Sequence, residues 1–216
     1  MDKNQLLELV SNFGVVPVIA IESVEAALPL ADALAEGGLP VAEITFRTAA
    51  AGEVISKIGR ERPAILLGAG TVLTPENLLG AAKSGARFGV APGLNPDVVN
   101  EAHRVGLPFI PGVLTPSEVE RAYALGALIL KFFPSEASGG LSMIKALAAP
   151  YMHLGIRFMP TGGVSPDNLE QYLKSEAVAC VGGTWIASRE AISGGKWTQI
   201  VDNCRRAVEI VKRTRG

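Results

Sequence analysis

Cysteine and histidine are nearly missing from this chain of 216 residues, which holds two of each. Cys180 and Cys204 cannot build a disulfide framework or a cysteine-rich zinc site. His103 and His153 cannot complete a three-histidine site. An excess of one charge is lacking too. Twenty Lys and Arg against 21 Asp and Glu leave −1, which offers no basic footprint for nucleic acid or a membrane surface. No uncharged apolar run reaches the ~18 residues of a membrane span. Asp2, Lys3 and Glu8 open the chain with no secretory core behind them, so a cytoplasmic location is expected. Nucleotide loops are missing as well. No G-x-G-x-x-G follows the first apolar run, and Gly195-Lys196 continues into Trp197 rather than Ser or Thr.

What the chain does have is glycine, 24 of 216 residues, about 11% against a usual ~7%. Fourteen prolines accompany them. Eight short apolar runs read as strands: Val15–Ala20, Pro40–Thr45, Ile65–Gly70, Arg87–Ala91, Pro108–Pro111, Leu128–Phe132, Arg157–Pro160 and Val178–Val181. Amphipathic helical patterns lie between them, such as the stripe Val24, Ala27, Leu28, Ala31, Leu34 and Ala35. One more helix, striped by Leu6, Leu9, Val10 and Phe13, precedes the first strand. Thr74-Pro75, Asn95-Pro96, Thr115-Pro116 and Ser165-Pro166 each read as an N-cap with proline at the first helical position. Glu118 completes a capping box with Thr115. Alternating β and α units imply a parallel sheet. The fold expected is a (β/α)₈ TIM barrel with an extra N-terminal helix, as one domain over residues 1–216, with a doubly wound sheet as the runner-up.

Chemistry in such a barrel gathers at the C-terminal ends of the strands. Lys131 is the most informative residue there, set between Ala127–Leu130 and Phe132-Phe133-Pro134. A charged ammonium is costly in that run, and a neutral amine attacks carbonyls to form a Schiff base. A lysine snorkelling to solvent at a strand edge fits equally well. Alternation puts Val41, Glu43, Thr45 and Arg47 on one face of the second strand, pointing into the barrel. Glu43 then suits general acid/base work, or else forms a structural ion pair with Arg47 at the mouth. Arg47 offers a planar fork to a carboxylate or phosphate, and Thr71 a hydroxyl and N–H beside it. Pro92 ends the fourth strand and Phe133 follows the sixth. Thr161-Gly162-Gly163 and Gly182-Gly183-Thr184 place paired glycines after strands seven and eight, where phosphate binds in this fold, though ordinary left-handed turns also use such pairs. His103 and His153 lie away from the strand ends and read as structural. Cys180, inside a strand, and Cys204, on a core stripe, read as buried and inert.

Several of these segments form recognisable motifs. Glu43-Ile-Thr-Phe-Arg47-Thr48, Gly68-Ala-Gly-Thr71-Val72, Ala91-Pro-Gly93, Ile110-Pro-Gly-Val-Leu-Thr-Pro116, Lys131-Phe-Phe-Pro-Ser-Glu-Ala137, Pro160-Thr-Gly-Gly-Val164 and Val181-Gly-Gly183 follow one another along the chain. They resemble the class I 2-keto-3-deoxy-6-phosphogluconate (KDPG) and 4-hydroxy-2-oxoglutarate (KHG) aldolases, from about residue 5 to the last helix. The resemblance implies a cytoplasmic, homotrimeric lyase that needs neither cofactor nor metal. It implies Lys131 as Schiff-base lysine and Glu43 as general acid/base. It places the pyruvate carboxylate on Arg47 and Thr71, with Pro92 and Phe133 at the substrate, and phosphate on Gly162, Gly163, Gly183 and Thr184. Phe46, Ser135 and Thr184 depart from the commoner Leu, Ala and Ser. Thr161 is similar to the gluconate-type enzymes, whose galactonate relatives have Val there. The implied reaction splits a phosphorylated 2-keto-3-deoxy sugar acid into pyruvate and glyceraldehyde 3-phosphate. A sugar-phosphate isomerase or epimerase shares the phosphate loops but gives Lys131 no task. A non-catalytic phosphate binder leaves both Lys131 and Glu43 idle.

Overall fold

A computed structural model describes residues 1–216. Helix α1, Lys3–Phe13, precedes the first strand and starts in a capping box between Asp2 and Gln5. The sheet strands are β1 (Val15–Ile19), β2 (Val41–Thr45), β3 (Leu66–Gly70), β4 (Phe88–Val90), β5 (Phe109–Ile110), β6 (Gly112–Val113), β7 (Ile129–Phe132), β8 (Arg157–Pro160) and β9 (Val181–Gly183). Helices α2 (Ala27–Glu36), α3 (Ala51–Glu61), α4 (Pro75–Lys83), α5 (Pro96–Val105), α6 (Pro116–Ala124), α7 (Gly140–Ala148), α8 (Leu169–Leu173), α9 (Arg189–Ser193) and α10 (Trp197–Arg215) connect and follow them. Every strand pairing is parallel. The result is an α/β fold around a curled, barrel-like parallel sheet.

Nine strands appear where eight are expected, because the fifth, expected over Pro108–Pro111, is followed past Pro111 by a further short strand, Gly112–Val113. Proline has no N–H to give a ladder, so the chain changes neighbour across it: β5 pairs with β4, and β6 with β7. The sheet therefore falls into a six-stranded piece, β5-β4-β3-β2-β1-β9, and a three-stranded piece, β6-β7-β8. Two isolated bridges, Phe158↔Val178 and Thr161↔Gly182, join the far edges. The last strand also lies later than Val178–Val181: its pairing with β1 runs over Val181, Gly182 and Gly183, which leaves Cys180 just before the strand rather than in it.

Three of the four proline-led helices form as read. Thr74, Asn95 and Thr115 accept from the N–H of Asn77, Asp97 and Glu118. Ser165-Pro166 does not begin a helix. Asn168 accepts the Ser165 N–H on Oδ1 (2.9 Å) and donates from Nδ2 to the Gly163 carbonyl (3.3 Å). That local side-chain bonding competes with a helical turn, and α8 begins only at Leu169.

Below the barrel, at the N-terminal ends of the strands, the Arg215 guanidinium donates to the carbonyls of Ser11, Leu173, Val178 and Ala179 at 2.7–3.2 Å. It ties α10 to α1, α8 and the approach to β9. Cys180 and Cys204 are free and buried, and burial pushes both thiols up to about 12. In an unfolded chain a thiol ionises near about 8.5. The unfolded state therefore loses these protons first, and stability falls as pH rises from about 8.5 toward 12. Each thiol contributes about 1.4 kcal/mol per pH unit across that window. Urea unfolding at pH 8, 9.5 and 10.5 measures the slope. Cys204→Ala is expected to remove one proton from it, and an unchanged slope would contradict the assignment.

Candidate active site

The lumen is shaped by residues that alternate on β2 and by glycines that make room for them. Glu43 pairs in register with Val18 on β1 and Gly68 on β3. Its carboxylate is fully buried and lies where a side chain on Gly70 would be: a Cβ built there would stand 2.2 Å from Glu43 Oε1. One neighbour below, the Phe88 ring occupies the space beside Gly68 and floors the cavity. Lys131, in the middle of β7, is 5% exposed. Its Nζ donates to Glu43 Oε1 at 3.2 Å across the lumen. Glu43 Oε2 has no hydrogen-bond partner in the protein.

Two of the arrangements read from the sequence are not formed. Lys131 does not reach solvent at an edge, and the carboxylate partner of Glu43 is Lys131, not Arg47. A buried pair of opposite charges is held by mutual attraction against a large desolvation cost. An idle acceptor on the same carboxylate leaves it able to take up a proton.

Arg47 lies beyond the end of β2 and is exposed. Its Nε donates to Thr45 Oγ1 (3.2 Å), and Thr45 Oγ1 in turn donates to the Ile19 carbonyl (3.0 Å). No carboxylate pairs with Arg47. Thr45 is thus a buried strut for Arg47. Its position on the same strand face as Glu43 and Arg47 was the available signal, yet it received no role from sequence. Thr71 follows β3 with φ 56°, the one non-glycine residue in the left-handed region. For a β-branched side chain that conformation is uncommon and costs about 1–3 kcal/mol. Such outliers cluster at functional sites. Pro92 caps β4 and packs its carbonyl against Gly112, where no Cβ would fit.

The mouth is completed from β7, β8 and β9. The Phe133 ring centroid lies 5.8 Å from Lys131 Nζ, and the ring covers Gly162. Thr161 is buried and bridges to Gly182, so the loops after β8 and β9 are direct neighbours. Gly162 and Gly163 both have positive φ, 97° and 82°. The N–H groups of Gly162 and Gly163 give no backbone hydrogen bond. Gly183 ends β9 and Thr184 is exposed beside it. Lys131 and Glu43 are thus in contact, Arg47 and Thr71 stand at adjacent strand ends, and Thr161 joins the two glycine loops.

Elsewhere, a cavity of about 430 Å³ opens among Lys3, Leu6, His103, Phe109 and Leu128. It adjoins the N-terminal ends of β5 and β7, opposite the site. No three His, Cys, Asp or Glu side chains converge on a metal-sized position. No helix is long and apolar enough to cross a membrane.

Residues 7–203 match the family model described as KDPG and KHG aldolase. A 2-dehydro-3-deoxy-phosphogluconate aldolase of Haemophilus influenzae is 44% identical over 96% of this chain and 97% of its own. Among solved structures, a KDPG aldolase of Legionella pneumophila superposes with a TM-score of 0.86 at 39% identity, covering 91% of this chain and 96% of the other. That protein holds pyruvate as a covalent carbinolamine intermediate. The 2-keto-3-deoxy-6-phosphogluconate aldolase of Zymomonas mobilis ZM4, bound to 3-phosphoglycerate, gives 0.85 at 36% identity and 94% coverage of both chains. Sequence, fold and the lysine-bearing curled sheet agree, and the chain belongs to the KDPG and KHG aldolase family.

Proposed function

We propose that this aldolase cleaves 2-keto-3-deoxy-6-phosphogluconate to pyruvate and glyceraldehyde 3-phosphate through a Schiff base on Lys131. The observation that carries this reading is the buried 3.2 Å contact between Lys131 Nζ and Glu43 Oε1. It gives the amine a proton acceptor in a largely buried site. An epimerase or a passive phosphate binder has no use for that contact.

Lys131 passes a proton to Glu43 and attacks the C2 carbonyl as a neutral amine. Glu43 returns that proton to the carbinolamine oxygen, which leaves as water and gives an iminium, with Glu43 again a carboxylate. Glu43 then accepts the C4 hydroxyl proton, and the C3–C4 bond breaks. Its electron pair moves into the iminium to give an enamine, and C4 becomes the aldehyde carbon of glyceraldehyde 3-phosphate. Protonation at C3 restores an iminium, and water releases pyruvate and the free lysine. The electron sink is organic, so the reaction as read needs no metal or cofactor. Unpaired Arg47, steadied by Thr45, suits the substrate carboxylate with Thr71 beside it. Pro92 and Phe133 form apolar walls. The free N–H groups of Gly162 and Gly163, with Gly183 and Thr184, suit the phosphate.

The same reading takes the two sheet pieces as one closed (β/α)₈ barrel. It takes residues 1–216 as a single domain, working in the cytoplasm as a homotrimer, which light scattering tests. Comparing kcat/KM for KDPG, its galactonate epimer and 4-hydroxy-2-oxoglutarate ranks the substrates. Borohydride reduction in the presence of pyruvate, followed by peptide mass mapping, tests the chemistry. One reduced adduct on Lys131 is expected. An adduct on Lys57 or Lys145, or an unmodified Lys131, would sink the mechanism.

A further inference from the structure

Beside the glycine loop after β8 sits a carboxylate that the proposed reaction does not use. The chain after β7 runs along that loop: the Ser135 N–H donates to the Thr161 carbonyl (2.8 Å), and the Glu136 N–H to the Gly162 carbonyl (3.0 Å). The Glu136 stem then lies directly on Gly163, where a Cβ would stand 2.5 Å from its Cβ and Cγ. The exposed Glu136 thus carries its carboxylate on a stem packed against the loop whose free N–H groups suit a phosphate. Like charges in such proximity repel.

The carboxylate is not left loose. Tyr172, 1% exposed on α8, donates its hydroxyl proton to Glu136 Oε1. That hydroxyl has one proton to give, so the Ser135 hydroxyl, 3.0 Å away and fully buried, donates to Tyr172 in turn. Gly140 leaves the space this needs: a Cβ there would meet both Glu136 Oε1 and the Tyr172 hydroxyl at 3.1 Å. Burial, reinforced by Glu136, pushes the Tyr172 phenol up to about 12, so it remains a donor at all working pH values.

We infer that Tyr172 is a positioning residue that ties the Glu136 carboxylate back from the Gly162–Gly163 loop, and so sets how strongly the site favours phosphorylated over unphosphorylated substrate. This rests on the aldolase reading and on phosphate binding at that loop. Neither Tyr172 nor Glu136 touches the reacting atoms.

The test compares the wild-type protein with Tyr172→Phe, Glu136→Gln and the double variant, on KDPG and on unphosphorylated 4-hydroxy-2-oxoglutarate. Tyr172→Phe is expected to raise KM for KDPG roughly tenfold. It should leave kcat, and kcat/KM for 4-hydroxy-2-oxoglutarate, within about twofold. Adding Glu136→Gln should bring KM back to near the wild-type value, because the freed side chain no longer carries charge. A Tyr172→Phe variant that weakens both substrates alike overturns the inference, as does a double variant no better than the single. Should Tyr172→Phe fail to fold, Glu136→Lys replaces it. That change should lower KM for KDPG about threefold or more without moving the other substrate, and an unmoved ratio overturns the proposal. If wild-type Lys131 is not trapped by borohydride, the aldolase reading falls and takes this inference with it. Normal trapping with an unmoved ratio brings down this inference alone.

Discussion

Lys131→Met is expected to lower turnover by about 10⁴-fold or more, since it removes the nucleophile and leaves no other amine in the lumen. It should also cost about 3–5 kcal/mol of stability, the range for breaking a buried ion pair from one side. The reason is Glu43. Its carboxylate is fully buried, Lys131 is its sole hydrogen-bond partner, and Oε2 is already unsatisfied. Methionine fills the space but offers no donor. Replacing both residues, Lys131→Met with Glu43→Leu, should recover most of the lost stability while activity stays absent, because an apolar pair of similar volume carries no desolvation cost. Urea unfolding of the wild-type, single and double variants, read beside kcat, checks both halves. A Lys131→Met variant as stable as the wild type would mean that the pair is not buried in solution.

Glu43→Gln separates binding of the keto acid from the proton transfers that follow. The amide retains an oxygen to accept from Lys131, so the hydrogen bond survives while the ammonium loses its counter-charge. It cannot take up the C4 hydroxyl proton, and turnover should fall about 10²-fold or more. Borohydride trapping of pyruvate on Lys131 should survive in part, since adduct formation asks less of the residue than bond cleavage does. Near-normal turnover would leave Glu43 with a purely structural task.

The two central residues were legible because each is a charged side chain in an apolar run, and burying charge needs a reason. That they meet was not legible. Eighty-eight residues separate Lys131 from Glu43, and only the curling of the sheet brings β7 and β2 to face each other. The strand and helix order followed from period and from proline-led caps. It failed where a local bond overrode the pattern, as at Ser165-Pro166, where the Asn168 side chain claims the backbone, and at Pro111, where a missing N–H moves the chain to a new neighbour. Thr45 could have been found from its strand face. Tyr172 and Ser135 could not: each reads as an ordinary core or loop residue until α8 packs against the end of β7 and their hydroxyls meet.

The glycine at position 70 shows how a residue can matter to the reaction without touching a substrate. A methyl group there would meet the Oε1, Cγ and Cδ atoms of Glu43 at 2.2–2.7 Å, all of them in a flexible stem rather than in backbone. The stem would give way, and the strands would not. Gly70→Ala is therefore a change that spares the architecture and evicts the base. In a screen for lost activity it should fall among the catalytic residues, and in a screen for lost folding beside Lys131→Met, because moving the carboxylate breaks the same buried pair. Absence of a side chain at one strand end is, for this enzyme, as heritable a part of the machinery as the lysine itself.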